Sequence, residues 1–283
     1  MKVDSAVRAV PLPSGEEIPA LGQGTWGWAE VPARREQEIA SLRLGLDLGL
    51  NLVDTAEMYA DGGAEKLVGE GLAGRRQEVF LVTKLLPSNA GRTGTLRACE
   101  ASLQRLGTDW IDLYLLHWRG RLPLEATLEA FEVLVATGKI RYWGVSNFDT
   151  ADLSELVLVS GGADVATNQV LYNLTRRGTE YDLLPWARAA GLPIMAYSPI
   201  EQGRLLTNPG LAAIARKHGV TPAQVALAWV LREPEIVVIP RAGRPEHVQQ
   251  NRLALDVRLT EADLAELDRL FPPPTAKVPL EVL

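Results

Sequence analysis

The chain is expected to fold as an α/β protein, a (β/α)8 TIM barrel with an N-terminal β-hairpin and an extra C-terminal helix. Two observations predict this. Eight short runs rich in β-branched and aliphatic residues recur along the 283 residues, and segments of helical spacing lie between them. Several runs (VFLVTK, IDLYLLH, IVVIP) are almost wholly apolar, as strands covered on both faces must be. Strands alternating with helices imply a parallel sheet with right-handed crossovers, and at this length closure into a barrel is the economical solution.

The runs occupy 20–25, 51–56, 78–84, 110–117, 140–147, 165–172, 192–198 and 235–240, the first being the weakest. Between them, segment 36–48 and the two residues that follow place Ile39, Leu42, Leu46 and Leu50 on one stripe, and 95–106 does the same with Leu96, Cys99, Leu103 and Leu106. Thr221 followed by Pro222 is a helix start for PAQVALAWVL. Ahead of the first run, 7–10 and 16–18 flank Pro11, Pro13 and Gly15, which predicts a hairpin plugging the lower end of the barrel. A last helix over 259–271 lies outside the repeat. No linker divides the chain, so one domain over 1–283 is expected.

Composition narrows the function classes. Hydrophobic residues make up 47% and charged residues 23%, which excludes a disordered or fibrous chain. The net charge of −6 argues against a broad nucleic-acid face and against docking on anionic membranes. Cys99 is the single cysteine, so no intrachain disulfide framework or multi-cysteine metal site exists. It is expected in the core. His117, His218 and His247 lack a ligand spacing, so no metal is expected. No signal-like or membrane-spanning apolar stretch and no lipidation tag is visible, which makes a cytoplasmic protein the default expectation. The pairs Arg34-Arg35, Arg75-Arg76 and Arg176-Arg177 are expected to be solvated faces.

In such barrels chemistry sits at the C-terminal ends of the strands. The run ends form a ring: Asp54-Thr55, Lys84, His117, Ser146-Asn147, Asn168-Gln169, Tyr197-Ser198 and Arg241. One charge ending a strand is commonplace; Asp, Lys and His ending three in succession is less so. Tyr59 follows in AEMYADGGAE, where Gly62 and Gly63 suit a tight turn into a helix. A phenol has a pKa of about 10, too high for an efficient acid near neutrality, and a nearby ammonium lowers it. A carboxylate would keep that ammonium in place and charged. An imidazole could bond a substrate carbonyl. Asp54, Tyr59, Lys84 and His117 thus compose a proton-donor device aimed at a carbonyl.

These residues resemble the catalytic tetrad of the aldo-keto reductase superfamily, and within it bacterial small-aldehyde and methylglyoxal reductases. The resemblance rests on GQGTW (22–26), DTAEMY (54–59), TKLLP (83–87), LYLLHW (113–118), GVSNF (144–148), NQVLYN (168–173), AYSP (196–199) and IPRAG (239–243), in order, from about residue 21 to 251. It implies a barrel that binds a nicotinamide cofactor without a Rossmann domain. It implies that Tyr59 is the general acid, that Lys84 lowers its pKa, that Asp54 pairs with Lys84 and that His117 orients the carbonyl. Ser146, Asn147 and Gln169 would hold the carboxamide and Tyr197 would stack on the nicotinamide. Gly24, Thr25 and Trp26 would line the mouth, and Ser198, Ile200 and Gln202 would follow the pyrophosphate.

The adenosine end departs from the common family pattern of Lys-Ser followed by Arg and Glu-Asn. Here Arg241-Ala242 is followed by His247 and Gln250-Asn251. Arg241 and Arg244 can still clamp a 2′-phosphate, so NADPH is expected, with NADH as the alternative. Trp26, Trp28, Met58 and Trp118 are candidate pocket walls. Short loops and a brief tail predict an open pocket for small aldehydes, dicarbonyls or sugars. The expected partner is a small-molecule carbonyl, and the expected state a monomer or weak oligomer. Two other readings stand beside this one. In the first, a Schiff-base barrel aldolase or lyase uses Lys84. In the second, the barrel is non-catalytic and senses cofactor, as potassium-channel β-subunits of the superfamily do.

Overall fold

A computed structural model describes residues 6–283. Among these residues, ten strands form two sheets. β1 (Ala9–Pro11) and β2 (Glu17–Pro19) pair antiparallel. The second sheet runs in chain order: β3 (Gln23–Gly24), β4 (Leu52–Asp54), β5 (Phe80–Leu85), β6 (Ile111–Leu116), β7 (Ile140–Ser146), β8 (Asn168–Leu171), β9 (Ile194–Tyr197) and β10 (Ile236–Val238). Each strand is parallel to its neighbours. All six residues of β5 and all six of β6 are buried, the reason these runs carry no alternation.

The sheet closes on itself through backbone bonds at its two outer strands. The Gly22 N–H donates to the Val238 carbonyl at 2.8 Å, the Val238 N–H to Ala20 at 2.8 Å and the Gly24 N–H to Pro240 at 3.1 Å. A Cβ on residue 24 would come within 2.7 Å of the Ile239 carbonyl oxygen, so this seam requires glycine. Closure removes the edges that an open sheet would expose.

Helices α1 (Arg35–Asp47), α2 (Gly63–Gly71), α3 (Arg92–Leu106), α4 (Leu124–Ala136), α5 (Thr150–Leu156) and α6 (Leu183–Ala189) fill the successive crossovers. Two helices, α7 (Pro209–His218) and α8 (Pro222–Leu231), fill the crossover before β10, and α9 (Pro245–Leu253) follows it. The sequence patterning did not single out α7. The last helix, α10 (Glu261–Leu270), is shorter than 259–271 because the Thr260 hydroxyl caps it. Cys99 is buried.

The hairpin covers the N-terminal ends of the barrel strands, with Val10, Leu12 and Ile18 buried. The Arg8 guanidinium donates to the carbonyls of Leu231, Glu233 and Ile236 on the way into β10. The Glu16 carboxylate accepts from the Tyr142 hydroxyl at 2.7 Å.

Two arginine pairs depart from expectation. Arg177 is buried, donating to Glu180, Asp268 and the Phe271 carbonyl over the Trp229 ring. Arg76 bonds Asp112 at 2.7 Å and lies over Trp110. Each holds separate segments together, so a doubled arginine here marks a tertiary tie and not merely a wet face.

Thr221 and Gln224 form a reciprocal cap at the start of α8, each side chain bonding the other's backbone N–H. Thr221→Ala is expected to lower stability by about 1 kcal/mol. Urea unfolding should show a lower midpoint with an unchanged slope.

Candidate active site

The ladders do not stop where the strands end. The Thr55 N–H donates to Val82, Glu57 to Lys84, His117 to Leu85 and Asn147 to Gln169, at 2.9, 3.3, 3.0 and 2.9 Å. These bonds bring 54–59, Lys84, His117 and Asn147 to one level at the C-terminal mouth of the barrel. A cavity of about 930 Å³ opens there.

At its floor Lys84 is fully buried. Its Nζ donates to Asp54 Oδ2 at 2.7 Å, to the Thr55 carbonyl at 2.8 Å and to the Tyr59 hydroxyl at 3.2 Å. The other Asp54 oxygen accepts from Gln169 Nε2 at 2.7 Å. The Tyr59 and His117 rings meet edge to face with centroids 5.9 Å apart, and Trp118 lies beyond at 5.0 Å from His117. His117 Nδ1 is buried without a partner.

Burial works to discharge Lys84, but Asp54 and Tyr59 outweigh it and hold the ammonium charged. Burial lifts the Asp54 carboxyl above its ordinary value, opposed by Lys84 and Gln169. The Tyr59 phenol differs from expectation. Burial raises its pKa and the pull of Lys84 only partly offsets this, so the net direction is upward. Tyr59 is therefore a neutral donor, and the ammonium beside it stabilises whatever charge the oxygen gains on giving up its proton. Burial, with Lys84 nearby, lowers His117 to about 3, so the imidazole is neutral at ordinary pH.

The cavity gathers most of the residues singled out in the sequence. Gly24, Trp26, Met58 and Trp118 stand on its walls with Ser146, Asn147, Gln169 and Tyr197, and Ser198, Ile200, Gln202, Arg241 and His247 extend it. The Tyr197 hydroxyl donates to Asn147 Oδ1 at 3.0 Å. Others fall outside. Trp28 is not a pocket wall: it is buried in the core, where a ring of this size removes a large apolar surface from water. Thr25 is buried beneath the mouth, donating to the Asp54 carbonyl at 3.0 Å. Arg244 stands at the N-cap of α9, and Gln250 and Asn251 lie further along that helix; none of the three lines the cavity. Arg241 and His247 do, so the pair on this wall is not the Arg241–Arg244 pair expected.

The mouth is also less open than the brief tail suggested. Pro279, Leu280, Val282 and Leu283 line the cavity. The segment is held by Lys277 on Asp182 at 2.8 Å, by the Arg176–Glu281 pair and by the Leu283 N–H to the Tyr197 hydroxyl at 3.4 Å. Sequence reasoning missed these residues; the apolar positions of VPLEVL were the signal available.

Residues 20–271 match the model of the aldo/keto reductase family. The chain belongs to the aldo/keto reductase family. Among relatives of this aldo/keto reductase, methylglyoxal reductase YeaE of Escherichia coli is 54% identical over 271 residues, covering 94% of this chain and 95% of that one. Glyoxal reductase of Bacillus subtilis is 34% identical over 264 residues, 92% of each. The crystal structure of an aldo/keto reductase from Klebsiella pneumoniae in complex with NADP and acetate superposes with a TM-score of 0.96 at 51% identity, covering 98% of this chain and all of that one.

The neutral imidazole has two measurable consequences. The pH profile of kcat/KM should show no inflexion near 6.5, the ordinary histidine value. Because the folded-state pKa of His117 lies below the unfolded value, stability from this group is complete above about pH 6.5. It is lost as pH falls toward 3, by up to ~1.4 kcal/mol per unit. His117→Gln should flatten that acid limb in denaturation midpoints taken between these pH values.

Proposed function

We propose that this aldo/keto reductase reduces small aldehydes and dicarbonyls, methylglyoxal among them, to alcohols with NADPH, using Tyr59 as proton donor. One observation carries the reading. The phenol of Tyr59 sits on a buried, charged Lys84, itself paired with Asp54, at the floor of a cavity that His117 also walls. A cavity of about 930 Å³ with Ser146, Asn147, Gln169 and Arg241 on its walls suits a bound cofactor and carbonyl.

Ser146, Asn147 and Gln169 would hold the carboxamide of the cofactor and Tyr197 its ring, while Arg241 and His247 would meet the phosphate end. Reduced nicotinamide, when bound, supplies the hydride. Neutral His117 offers one N–H to the carbonyl oxygen and orients it. The Tyr59 hydroxyl gives its proton to that oxygen as negative charge develops there. Lys84 stabilises the phenolate left behind, and Asp54 keeps the lysine fixed and charged. The half-exposed Trp26, Met58 and Trp118, with Leu280 and Val282 of the tail, exclude water from the reacting face.

The Schiff-base alternative fares poorly. It needs a neutral amine, and a lysine 2.7 Å from a buried carboxylate stays an ammonium. We include a cytoplasmic location and a monomeric or weakly associated state in the proposal. Among the described residues no helix is long and apolar enough to cross a membrane.

Tyr59→Phe should lower turnover of methylglyoxal by at least ~100-fold, the scale of general acid catalysis, with NADPH affinity nearly intact in fluorescence titration. Full activity in that variant would remove Tyr59 from the mechanism. Arg241→Ala should weaken NADPH more than NADH, since only the former carries a 2′-phosphate for a guanidinium to grip. Equal losses would place Arg241 elsewhere.

A further inference from the structure

Tyr59 sits at the start of an unusual turn. Ala60, Asp61 and Gly62 follow it with φ of 50°, 50° and 80°, three consecutive residues in left-handed conformation. Such a run is unfavourable for alanine and aspartate and persists only where surrounding structure imposes it. The turn's own backbone bonds run from the Tyr59 N–H to Ala56 at 3.1 Å, from the Asp61 N–H to Met58 at 3.4 Å and from the Gly63 N–H to the Tyr59 and Ala60 carbonyls. Just ahead of the turn stands Glu57, which does not line the cavity and has no part in the chemistry above.

Glu57 holds the chain at Lys84 and just beyond it. Its own N–H donates to the Lys84 carbonyl at 3.3 Å. Its carboxylate oxygen Oε1 accepts from the Leu86 N–H at 2.6 Å and from Asn89 Nδ2 at 2.9 Å. One residue, two positions before Tyr59, thus grips the chain on either side of Leu85, directly after the lysine. Bonds to a carboxylate are stronger than neutral ones, and this side chain is only 10% exposed. Behind it Arg105 places Nη2 4.0 Å from Glu57 Oε2 and bonds Glu65, which accepts from Thr83, the residue before Lys84. Arg105 also underlies the turn: a Cβ on Gly62 would lie 2.5 Å from its Cδ.

We propose that Glu57 is a positioning residue that locks the Tyr59 turn onto the Lys84 strand and so sets the separation between phenol and ammonium. This rests on the reductase reading. Without the grip, the left-handed turn relaxes, the phenol drifts from the lysine, and proton donation slows while the cofactor seat, built on other strands, is untouched.

The test uses the full chain with NADPH and methylglyoxal. Glu57→Ala should lower kcat about 10- to 100-fold, the scale of an ångström-sized misplacement, with NADPH affinity within about two-fold of the parent. The solvent deuterium isotope effect on kcat should rise as proton transfer becomes limiting. Glu57→Gln keeps an oxygen for Leu86 and Asn89 and should restore most of the lost kcat and the parent isotope effect. Asn89→Ala removes one of the two donors. It should shift kcat and the isotope effect the same way by a smaller factor, which keeps the test alive if Glu57→Ala does not fold. Unchanged kcat in Glu57→Ala, or a Gln variant no better than Ala, overturns the proposal, as does an unmoved isotope effect with cofactor affinity falling in parallel. A parent chain inert toward every carbonyl would count against the reductase reading; an active parent with an indifferent Glu57→Ala counts against Glu57 alone.

Discussion

A lysine and an aspartate buried together in an apolar barrel govern much of this structure. Removing either charge from water is expensive, and the pair is tolerable only if nearly every donor and acceptor is satisfied. That condition is met. The ammonium reaches Asp54, Thr55 and Tyr59, and the second carboxylate oxygen reaches Gln169. The partners come from β4, β5, β8 and the loop after β4, so the site exists only once the barrel is closed in register. The same confinement keeps Tyr59 protonated and His117 neutral, the two states that carbonyl reduction requires.

Strain is distributed unevenly. The described non-glycine residues with positive φ are Ala29, Ala60, Asp61, Asn147, Ser198, Glu201 and Gln202. They lie in loops at the C-terminal mouth of the barrel, where the candidate site sits, and the opposite end is closed by a hairpin and its hydrogen bonds. Unfavourable conformations at a mouth are sustained by contacts around them. Glu201 is one such support: buried in the loop after β9, it takes bonds from Asn173, Arg176 and Arg204 that, against burial, hold its carboxyl below the usual range. Arg176 also pairs with Glu281, joining that loop to the tail that walls the cavity.

The fold was legible because continuous apolar runs such as VFLVTK and IDLYLLH leave few alternatives to strands buried on both faces. The floor of the site was legible because Asp54, Lys84 and His117 sit at strand ends, where chain direction dictates that side chains leave the core. Trp28, Thr25 and Arg244 were harder. Two residues along a loop can carry a side chain from the mouth to the core, and nothing in the string GTWGWAE separates Trp26 from Trp28. The net direction of the Tyr59 pKa could not be read either, because it depends on how deeply the phenol is buried beside its ammonium.

The sequence by itself determined the order of the barrel strands, the hairpin and last helix that flank the repeat, and the four polar groups that barrel closure brings together. These follow from local periodicity and from positions relative to strand ends. Tertiary structure alone decided that Arg241 and His247 face the cavity while Arg244 does not, that residues 279–283 fold back over the mouth, and that Glu57 grips the strand carrying Lys84. Those outcomes depend on distances between segments far apart along the chain, which no local pattern encodes.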